Sequence, residues 1–249
     1  MTVREMLDSG YSYYMDHGPI NIVALGDSVT FGAFEDHAHD FDAVYWNQLH
    51  QMLKAYGSCV TVNMLQAGFG GITAGWGLKN LDRHVLCHHP DLVIVCYGLN
   101  DVNWPLETFV NSLGAIFDRC LEAGSQVIYM TPNMMNTVVP EGVPPTYYGL
   151  KTARYQNEGR VDEFMDAARQ VAKERNIPVC DCYAIWKEMS KTQDINLLLA
   201  NNCNHPIREM HTLFARELYK VIMGEEAPQM AAEEPSDGAD PTLFAGYRT

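Results

Sequence analysis

The sequence predicts an α/β fold, a three-layer α/β/α sandwich with a central, mostly parallel sheet of five strands. Apolar runs of strand length recur along the chain, and amphipathic segments long enough to be crossover helices separate them. The chain has 249 residues, of which 47% are hydrophobic, so it can bury one large core. We therefore expect a single domain over residues 1–223.

The predicted strands are rich in valine and isoleucine and are apolar on both faces, which is typical of a buried parallel sheet. They are NIVAL (21–25), CVTVNML (59–65), DLVIVCY (91–97), QVIYM (126–130) and IPVCDC (177–182). Amphipathic helices are predicted near residues 42–56, 73–84, 105–123, 159–175 and 206–223. Since ligands of such folds bind at the carboxyl ends of the strands, the residues directly after each strand are the first candidates for a site.

The charge balance disfavours several kinds of partner. Lys and Arg total 17 against 31 Asp and Glu, a net charge of -14, which disfavours binding to nucleic acid or to an anionic membrane. The N-terminal residues 1–18 carry acids and tyrosines where a signal peptide would have an apolar core, and no later apolar run is long enough to span a bilayer. The seven cysteines have no paired spacing, which favours reduced thiols. We expect a cytoplasmic protein, and the sequence leaves homo-oligomerisation open.

Two segments stand outside the strand and helix pattern. Residues 224–249 are acidic and are predicted to form a C-terminal tail; alternatively, Leu243, Phe244 and Tyr247 anchor this segment as an arm. Residues 131–159 are too long for a simple connection, and we expect them to form part of the rim of a pocket.

Polar or glycine-rich turns follow three successive predicted strands. They are Gly-Asp-Ser at 26–28, a glycine-rich stretch at 66–73 and Gly-Leu-Asn-Asp at 98–101. A late loop adds Asn-His-Pro at 204–206, just before the last predicted helix. Because parallel strands end at one edge of the sheet, these turns are expected to lie close together.

This set of residues contains what acyl transfer to water requires. A serine needs an imidazole to take its proton, and the tetrahedral oxyanion needs hydrogen-bond donors already directed at it. Ser28, His205, the Gly71 amide and the Asn100 side chain can fill these roles. Each residue alone is usually a helix cap, a turn or a loop residue, so the prediction depends on their occurring together, in order, at the strand ends.

The motifs GDSVT (26–30), GFGGIT (68–73), GLND (98–101) and NHP (204–206) together resemble the four sequence blocks of the SGNH hydrolases, also called GDSL-type esterases and lipases. The resemblance spans roughly residues 20–220. It implies a flavodoxin-like fold and a serine carboxylic ester hydrolase that works through an acyl-serine intermediate without a cofactor.

The resemblance also implies a role for each matching residue. Ser28 is the expected nucleophile, and its amide is an expected oxyanion-hole donor together with the Gly71 amide and the Asn100 side chain. His205 is the expected base. Gly71 is chosen among the glycines of its turn because the family pattern places this glycine two residues before a threonine, here Thr73.

At one position the sequence departs from the family. The family has an Asp three residues before the histidine, and this chain has Asn202 there. An Asn oxygen can accept a hydrogen bond from the imidazole, but it brings no negative charge. Three explanations are open: a Ser28–His205 dyad with a backbone carbonyl as acceptor, another carboxylate, with Asp194 and Glu209 nearest in sequence, or a weak or inactive hydrolase.

The expected substrates are short-chain acyl esters, O-acetyl esters above all, carried by carbohydrates or other alcohols. The candidate substrate-pocket residues are Asp27, Phe69 and Trp104. A lysophospholipase or a thioesterase is the alternative within the enzyme class. An alternative of another class, suggested by Asn202, is a ligand-binding protein that keeps the SGNH scaffold without catalysis.

No metal site is predicted. His37 and His39 lie in an acidic stretch at 35–40, but their spacing matches no familiar site, and a solvated rim explains the charges better. Cys180 and Cys182 are interpreted as core residues, and Cys203 as a loop residue near the candidate base.

Overall fold

The structure is a computed structural model that describes residues 1–35, 38–141 and 146–228. Its centre is a five-stranded, wholly parallel sheet in the order β2-β1-β3-β4-β5. The strands are β1 (Ile20–Gly26), β2 (Val62–Gly68), β3 (Leu92–Cys96), β4 (Gln126–Met130) and β5 (Val179–Cys180). The predicted α/β fold with a parallel five-stranded sheet is confirmed.

Eleven α-helices are found among the described residues, and they surround the sheet. They are α1 (Val3–Asp8), α2 (Gly10–His17), α3 (Ser28–Phe31), α4 (Tyr45–Ala55), α5 (Ala74–Lys79), α6 (Leu81–His84), α7 (Leu106–Glu122), α8 (Tyr147–Asn157), α9 (Arg160–Glu174), α10 (Cys182–Met189) and α11 (Arg208–Met223). Helices α4 and α11 contact each other, and α7 contacts both α5 and α9. Strands β1, β3 and β4 are buried on both faces, as helix layers on both sides of the sheet require, whereas the edge strand β2 is partly exposed.

Several predicted boundaries differ from the structure. The predicted helix at 73–84 is two short helices, α5 and α6, and the chain leaves helical geometry at Asn80, between them. The predicted strand at 177–182 is only two residues long. It ends there because the Asp181 side chain accepts from Ala184 N and begins α10 at Cys182. The rim segment at 131–159 contains a helix that the sequence did not predict, α8.

The end of the last helix lies against the N-terminal helix. Glu225 pairs with Arg4 of α1, and Glu226 pairs with Lys220 of α11. The predicted tail at 224–249 otherwise falls outside the described residues from 229 onward, so the domain division stays a prediction. In the described part of the chain, no helix is both long and apolar enough to cross a membrane.

Cysteine side chains in the described part of the chain are free thiols. Cys180 and Cys182 are buried, as predicted, and their sulfur atoms lie 3.7 Å apart.

Candidate active site

Ser28 stands at the sharp turn that joins β1 to α3. The Asp27 side chain caps α3, since its Oδ1 accepts from Val29 N at 3.0 Å. A Cβ on Gly26 would lie 2.7 Å from Cys96 O of the neighbouring strand, so glycine is needed for the close approach of the two backbones. The turn holds Ser28 at the end of the strand, with 7% of the residue exposed.

His205 lies in the loop before α11, and Asn201 holds that loop. The Asn201 Oδ1 accepts from the backbone N–H of Cys203, Asn204 and His205, the last at 2.8 Å. Ala200 N donates to His205 O at 2.7 Å, and this bond joins the two ends of the loop. These bonds fix the backbone from which the imidazole extends.

The imidazole of His205 joins Ser28 to a backbone carbonyl. Its Nε2 lies 3.0 Å from Ser28 Oγ, and its Nδ1 lies 2.9 Å from Phe34 O. A carbonyl oxygen only accepts, so Nδ1 carries the hydrogen of the neutral ring. Nε2 is then the nitrogen with a free lone pair, which is the form that can accept the Ser28 hydroxyl proton.

Asn202 is not brought to the imidazole. It adopts a left-handed conformation with φ 56°, and its backbone N–H donates to Leu199 O at 3.2 Å. Of the two carboxylates nearest to His205 in sequence, Asp194 accepts from Asn196, and Glu209 is exposed. Of the arrangements that the sequence left open, the one with a backbone carbonyl at Nδ1 is therefore present.

Asn100 lies beneath the serine turn and is 9% exposed. Its Nδ2 donates to Ile72 O at 3.0 Å and lies 3.4 Å from Asp27 Oδ2. The second contact is long for a hydrogen bond, so this N–H can turn toward a developing oxyanion. Ile72 belongs to the glycine-rich turn, and the Asn100 amide therefore connects that turn to the serine turn.

The glycine-rich turn is also tied to the end of β3. Asp101 Oδ1 accepts from Ala74 N at 2.9 Å, at the start of α5. Gly71 has φ 74°, a conformation that favours glycine, and its backbone is exposed. The predicted oxyanion-hole residues are thus held by bonds between three consecutive strand ends.

A cavity of about 660 Å³ opens at this edge of the sheet, within the usual size of a small-molecule site. Four residues predicted for catalysis or for the oxyanion hole line it together, namely Ser28, Gly71, Asn100 and His205. Other described residues on its wall are Phe31, Ala33, Glu35, Ala38, His39, Gly70, Thr73, Asn103, Trp104, Tyr148, Asn201 and Asn204.

The three predicted pocket residues have different places. Trp104 lines the cavity and is 60% exposed. Asp27 is fully buried behind the serine turn, and the Phe69 ring packs against Trp76 and His84 at centroid distances of 4.9 and 5.1 Å. Neither Asp27 nor Phe69 is among the described residues that line the cavity.

Tyr148 and Asn201 are among the cavity residues that the sequence did not predict, and it did not predict which atom accepts from His205 Nδ1. Tyr148 enters the wall from α8, where its hydroxyl accepts from Asn204 Nδ2 at 3.2 Å, and burial raises its pKa to about 12. From the sequence, Asn201 could be placed only in the loop before His205, without a role. The Phe34 carbonyl has no sequence signal, because every residue has one.

No cluster of three or more His, Cys, Asp or Glu side chains in the described ranges could hold a metal ion. His39, one of the two histidines in the acidic stretch, lies on the cavity wall, where its ring packs edge-on against Phe31 at 4.8 Å. His37 lies outside the described residues.

A serine–imidazole pair at the carboxyl edge of a parallel sheet, with amide donors beside it, defines a class of proteins, the α/β serine hydrolases. The model of the GDSL-like lipase/acylhydrolase family matches residues 24–213. The chain belongs to this family, as its motifs predicted. A comparison with curated proteins gives no significant match.

Solved structures of the same family resemble the chain over most of its length. A lipase/acylhydrolase from Enterococcus faecalis is 27% identical, with a TM-score of 0.65 over 85% of this chain and 100% of that one. An acetylxylan esterase from Geobacillus stearothermophilus is 20% identical, with a TM-score of 0.66 over 85% of this chain and 97% of that one. The second likeness is one of fold.

Proposed function

We propose that the protein is a serine esterase that hydrolyses short-chain acyl esters, O-acetyl esters above all, through an acyl-serine intermediate. The observation that carries the proposal is the chain of contacts from Ser28 Oγ to His205 Nε2 at 3.0 Å and from His205 Nδ1 to Phe34 O at 2.9 Å. This arrangement both activates the hydroxyl and holds the imidazole in the tautomer that can accept a proton.

The reaction follows from these positions. Ser28 Oγ attacks the acyl carbonyl while His205 Nε2 takes its proton, and the negative charge develops on the former carbonyl oxygen. The N–H groups of Ser28 and Gly71 and the Asn100 amide stabilise that charge. The imidazolium then protonates the leaving alkoxide, the C–O bond to the alcohol breaks, and the acyl-serine remains. Water, activated by the same imidazole, releases the carboxylic acid and restores Ser28.

The cavity wall supports a small acyl group on a neutral, hydroxyl-rich alcohol such as a carbohydrate. The Asn103 amide, of which one N–H donates to Asn100 O at 2.9 Å, offers its oxygen as an acceptor, and the Tyr148 hydroxyl, which accepts from Asn204 Nδ2, can donate. Trp104 offers an exposed aromatic face. These are the groups that hydroxyls and the apolar face of a sugar ring require. The acetylxylan esterase of similar fold acts on such an alcohol.

Charge argues against the two enzymatic alternatives. Among the described residues of the wall there is no Lys or Arg, and the one carboxylate, Glu35, is paired with Arg208. These described residues therefore give the phosphate of a lysophospholipid or coenzyme thioester no Lys or Arg to pair with, and the protein's net charge of -14 would repel the anionic coenzyme thioester. We therefore place neutral esters ahead of both.

The proposal is tested with 4-nitrophenyl acetate and a fluorophosphonate probe on the full chain. We expect the wild type to hydrolyse the ester and to be labelled at Ser28, and Ser28→Ala and His205→Ala to lose both reactions. Ser190→Ala, an exposed serine outside the cavity, is the matched control and should behave as wild type. Activity that survives in Ser28→Ala would reject the nucleophile, and a wild type that is neither active nor labelled would favour the non-catalytic binding protein.

The acyl and alcohol preferences need a separate comparison. We expect acetyl esters to be cleaved faster than octanoyl esters, and acetylated xylo-oligosaccharides faster than lysophosphatidylcholine or acetyl-coenzyme A. A preference for octanoyl or phosphate-bearing substrates would contradict the proposed substrate class while leaving the serine mechanism intact.

A further inference from the structure

The acceptor of the His205 Nδ1 hydrogen is a backbone atom in an irregular segment. Phe34 lies after α3, and its N–H donates to Ala38 O at 3.0 Å. One isolated bridge, between Ala33 and His39, connects the two sides of this segment. A carbonyl outside a regular helix or strand is not oriented by a repeating pattern of backbone hydrogen bonds. The position of Phe34 O therefore depends on the contacts that hold its segment.

The Phe34 ring is clamped by two side chains of α11. The ring is fully buried, and the Arg208 guanidinium carbon lies 4.5 Å from its centroid. On the same ring, the His211 imidazole packs with a centroid distance of 4.7 Å. Burial lowers the pKa of His211 to about 3, so this second contact is with a neutral ring.

Arg208 also binds two carboxylates that follow Phe34 in the same segment. Its Nη1 donates to Glu35 Oε1 at 2.9 Å, and its Nε donates to Asp40 Oδ2 at 2.8 Å. Asp40 in turn accepts from Ala43 N at 2.9 Å, which fixes the exit of the segment toward α4. The hydrogen bonds from Arg208 hold the pKa of Glu35 and Asp40 below the usual range, so both carboxylates stay charged.

The same residue lies three positions after His205. Arg208 is the first residue of α11, and His205 sits in the loop that enters this helix. The short stretch from His205 to Arg208 therefore carries both the imidazole and the side chain that packs on Phe34, whose carbonyl lies at the imidazole Nδ1.

We propose that Arg208 is a positioning residue of the esterase, which sets Phe34 O as the acceptor for His205 Nδ1. The proposal rests on the proposed function. Arg208 touches no reacting atom; it acts through the Phe34 ring and through its bonds to Glu35 and Asp40. Because its side chain is 43% exposed, its ion pairs contribute little to folding, and the effect of its loss is expected in the rate rather than in stability.

The test compares Arg208→Met with Arg208→Lys in the full chain, with 4-nitrophenyl acetate as substrate. Arg208→Met keeps the aliphatic part of the side chain and removes the guanidinium, with its hydrogen-bond donors and its positive charge. We expect its kcat to fall by about 10-fold to 100-fold, as for other losses of catalytic-group orientation, while KM changes less than about twofold. Arg208→Lys keeps the positive charge but replaces the planar guanidinium, which packs on the Phe34 ring and donates through Nε and Nη1, by a single ammonium, and an intermediate kcat is expected.

Two further variants separate positioning from folding. Arg119→Met removes a similarly exposed arginine that pairs with Asp82 away from the cavity, and its kcat should equal that of the wild type. The double variant Glu35→Gln, Asp40→Asn removes both carboxylate partners and leaves Arg208 in place. It should lower kcat as Arg208→Met does, with an unchanged melting temperature, and it keeps the test decisive if Arg208→Met fails to fold.

The possible results distinguish this inference from the function on which it rests. Wild-type kcat in folded Arg208→Met and in the double variant, together with an inactive Ser28→Ala, would overturn the role of Arg208 alone. A loss confined to KM would also overturn it, because that would make Arg208 a binding residue. An active Ser28→Ala would instead reject the proposed function.

Discussion

The Nδ1 atom of His205 lies 2.9 Å from the carbonyl oxygen of Phe34, at the atom where related enzymes are expected to have a carboxylate. A carbonyl fixes the tautomer of the ring as a carboxylate does, since both only accept hydrogen bonds. A carbonyl carries no formal charge, so Phe34 O itself stabilises an imidazolium less than a carboxylate at the same position would.

Asn202→Asp is expected to leave kcat for 4-nitrophenyl acetate within about twofold of the wild type, because a charge that does not touch the imidazole has a small effect. The position that accepts from Nδ1 is already taken by Phe34 O. Steady-state kinetics with a melting curve for each variant is the measurement, and Asn202→Gly, which suits the φ of 56°, is the control for backbone effects. A tenfold gain in Asn202→Asp would show that the missing charge limits turnover and that residue 202 can reach the ring.

Asn100→Ala is expected to lower kcat by about 100-fold to 1,000-fold with little change in KM, as for the loss of one oxyanion-hole donor. Its Nδ2 is the side-chain donor beside Ser28, and alanine leaves no substitute. Asn157→Ala is a suitable control, because Asn157 also donates to a backbone carbonyl, that of Thr137 at 2.8 Å, but does not line the cavity. Equal kcat for Asn100→Ala and the wild type would place the oxyanion elsewhere.

Trp104→Ala is expected to raise KM for an acetylated xylo-oligosaccharide by about tenfold, which corresponds to about 1.4 kcal/mol of lost contact. The side chain is 60% exposed on the cavity wall, whereas its backbone is held by Arg160, whose Nη2 donates to Trp104 O at 2.8 Å. For 4-nitrophenyl acetate, which lacks a sugar, the change should be small. Tyr11→Ala, a 64% exposed aromatic of α2, controls for the loss of a surface ring. Equal losses on both substrates would assign Trp104 to the acyl side.

The sequence predicted the parts of this site that are made by side chains after strands. The Gly-Asp-Ser turn, Asn100 and His205 could be found because their residue types are unusual in that order and strand ends converge in space. The acceptor at Nδ1 could not be found, since a backbone carbonyl has no residue type and its position depends on the packing of Phe34 against Arg208 and His211. The predicted strand at 177–182 was too long for the same reason. Composition does not show that the Asp181 side chain caps α10 and so ends the strand.

Two buried carboxylates lie behind the site and make stability depend on pH. Burial raises the pKa of Asp27 from its ordinary value of 3.8 to about 7, and the same cause raises that of Asp101 to about 7. Asp101 Oδ1 accepts from Ala74 N, but its Oδ2 has no hydrogen-bond partner among the described residues, which favours the protonated form. Each group therefore binds a proton more tightly in the folded than in the unfolded protein.

The sign of the effect follows from proton binding. A carboxyl whose pKa is raised on folding stabilises the fold fully below its unfolded pKa, near 4, and this contribution is lost as pH rises through about 7. His211 acts in the opposite direction. Its pKa is lowered from 6.5 to about 3, so its contribution is present above pH 6.5 and lost as pH falls toward 3. The total pH dependence mixes these terms, and only a difference between variants isolates one of them.

Asp101→Asn is therefore expected to become more stable relative to the wild type as pH rises from 5.5 to 8. The difference in unfolding free energy should grow by up to about 1.4 kcal/mol per pH unit below pH 7 and level off above it. Asn can still accept from Ala74 N, so the start of α5 keeps its hydrogen bond. Urea unfolding at pH 5.5, 6.5, 7.5 and 8 measures the difference, and Asp166→Asn, a largely exposed carboxylate of α9, controls for the loss of one negative charge. A difference that stays constant over this range would mean that Asp101 is ionised in the folded protein throughout, and that Ala74 N–H and the surrounding dipoles outweigh the cost of its burial.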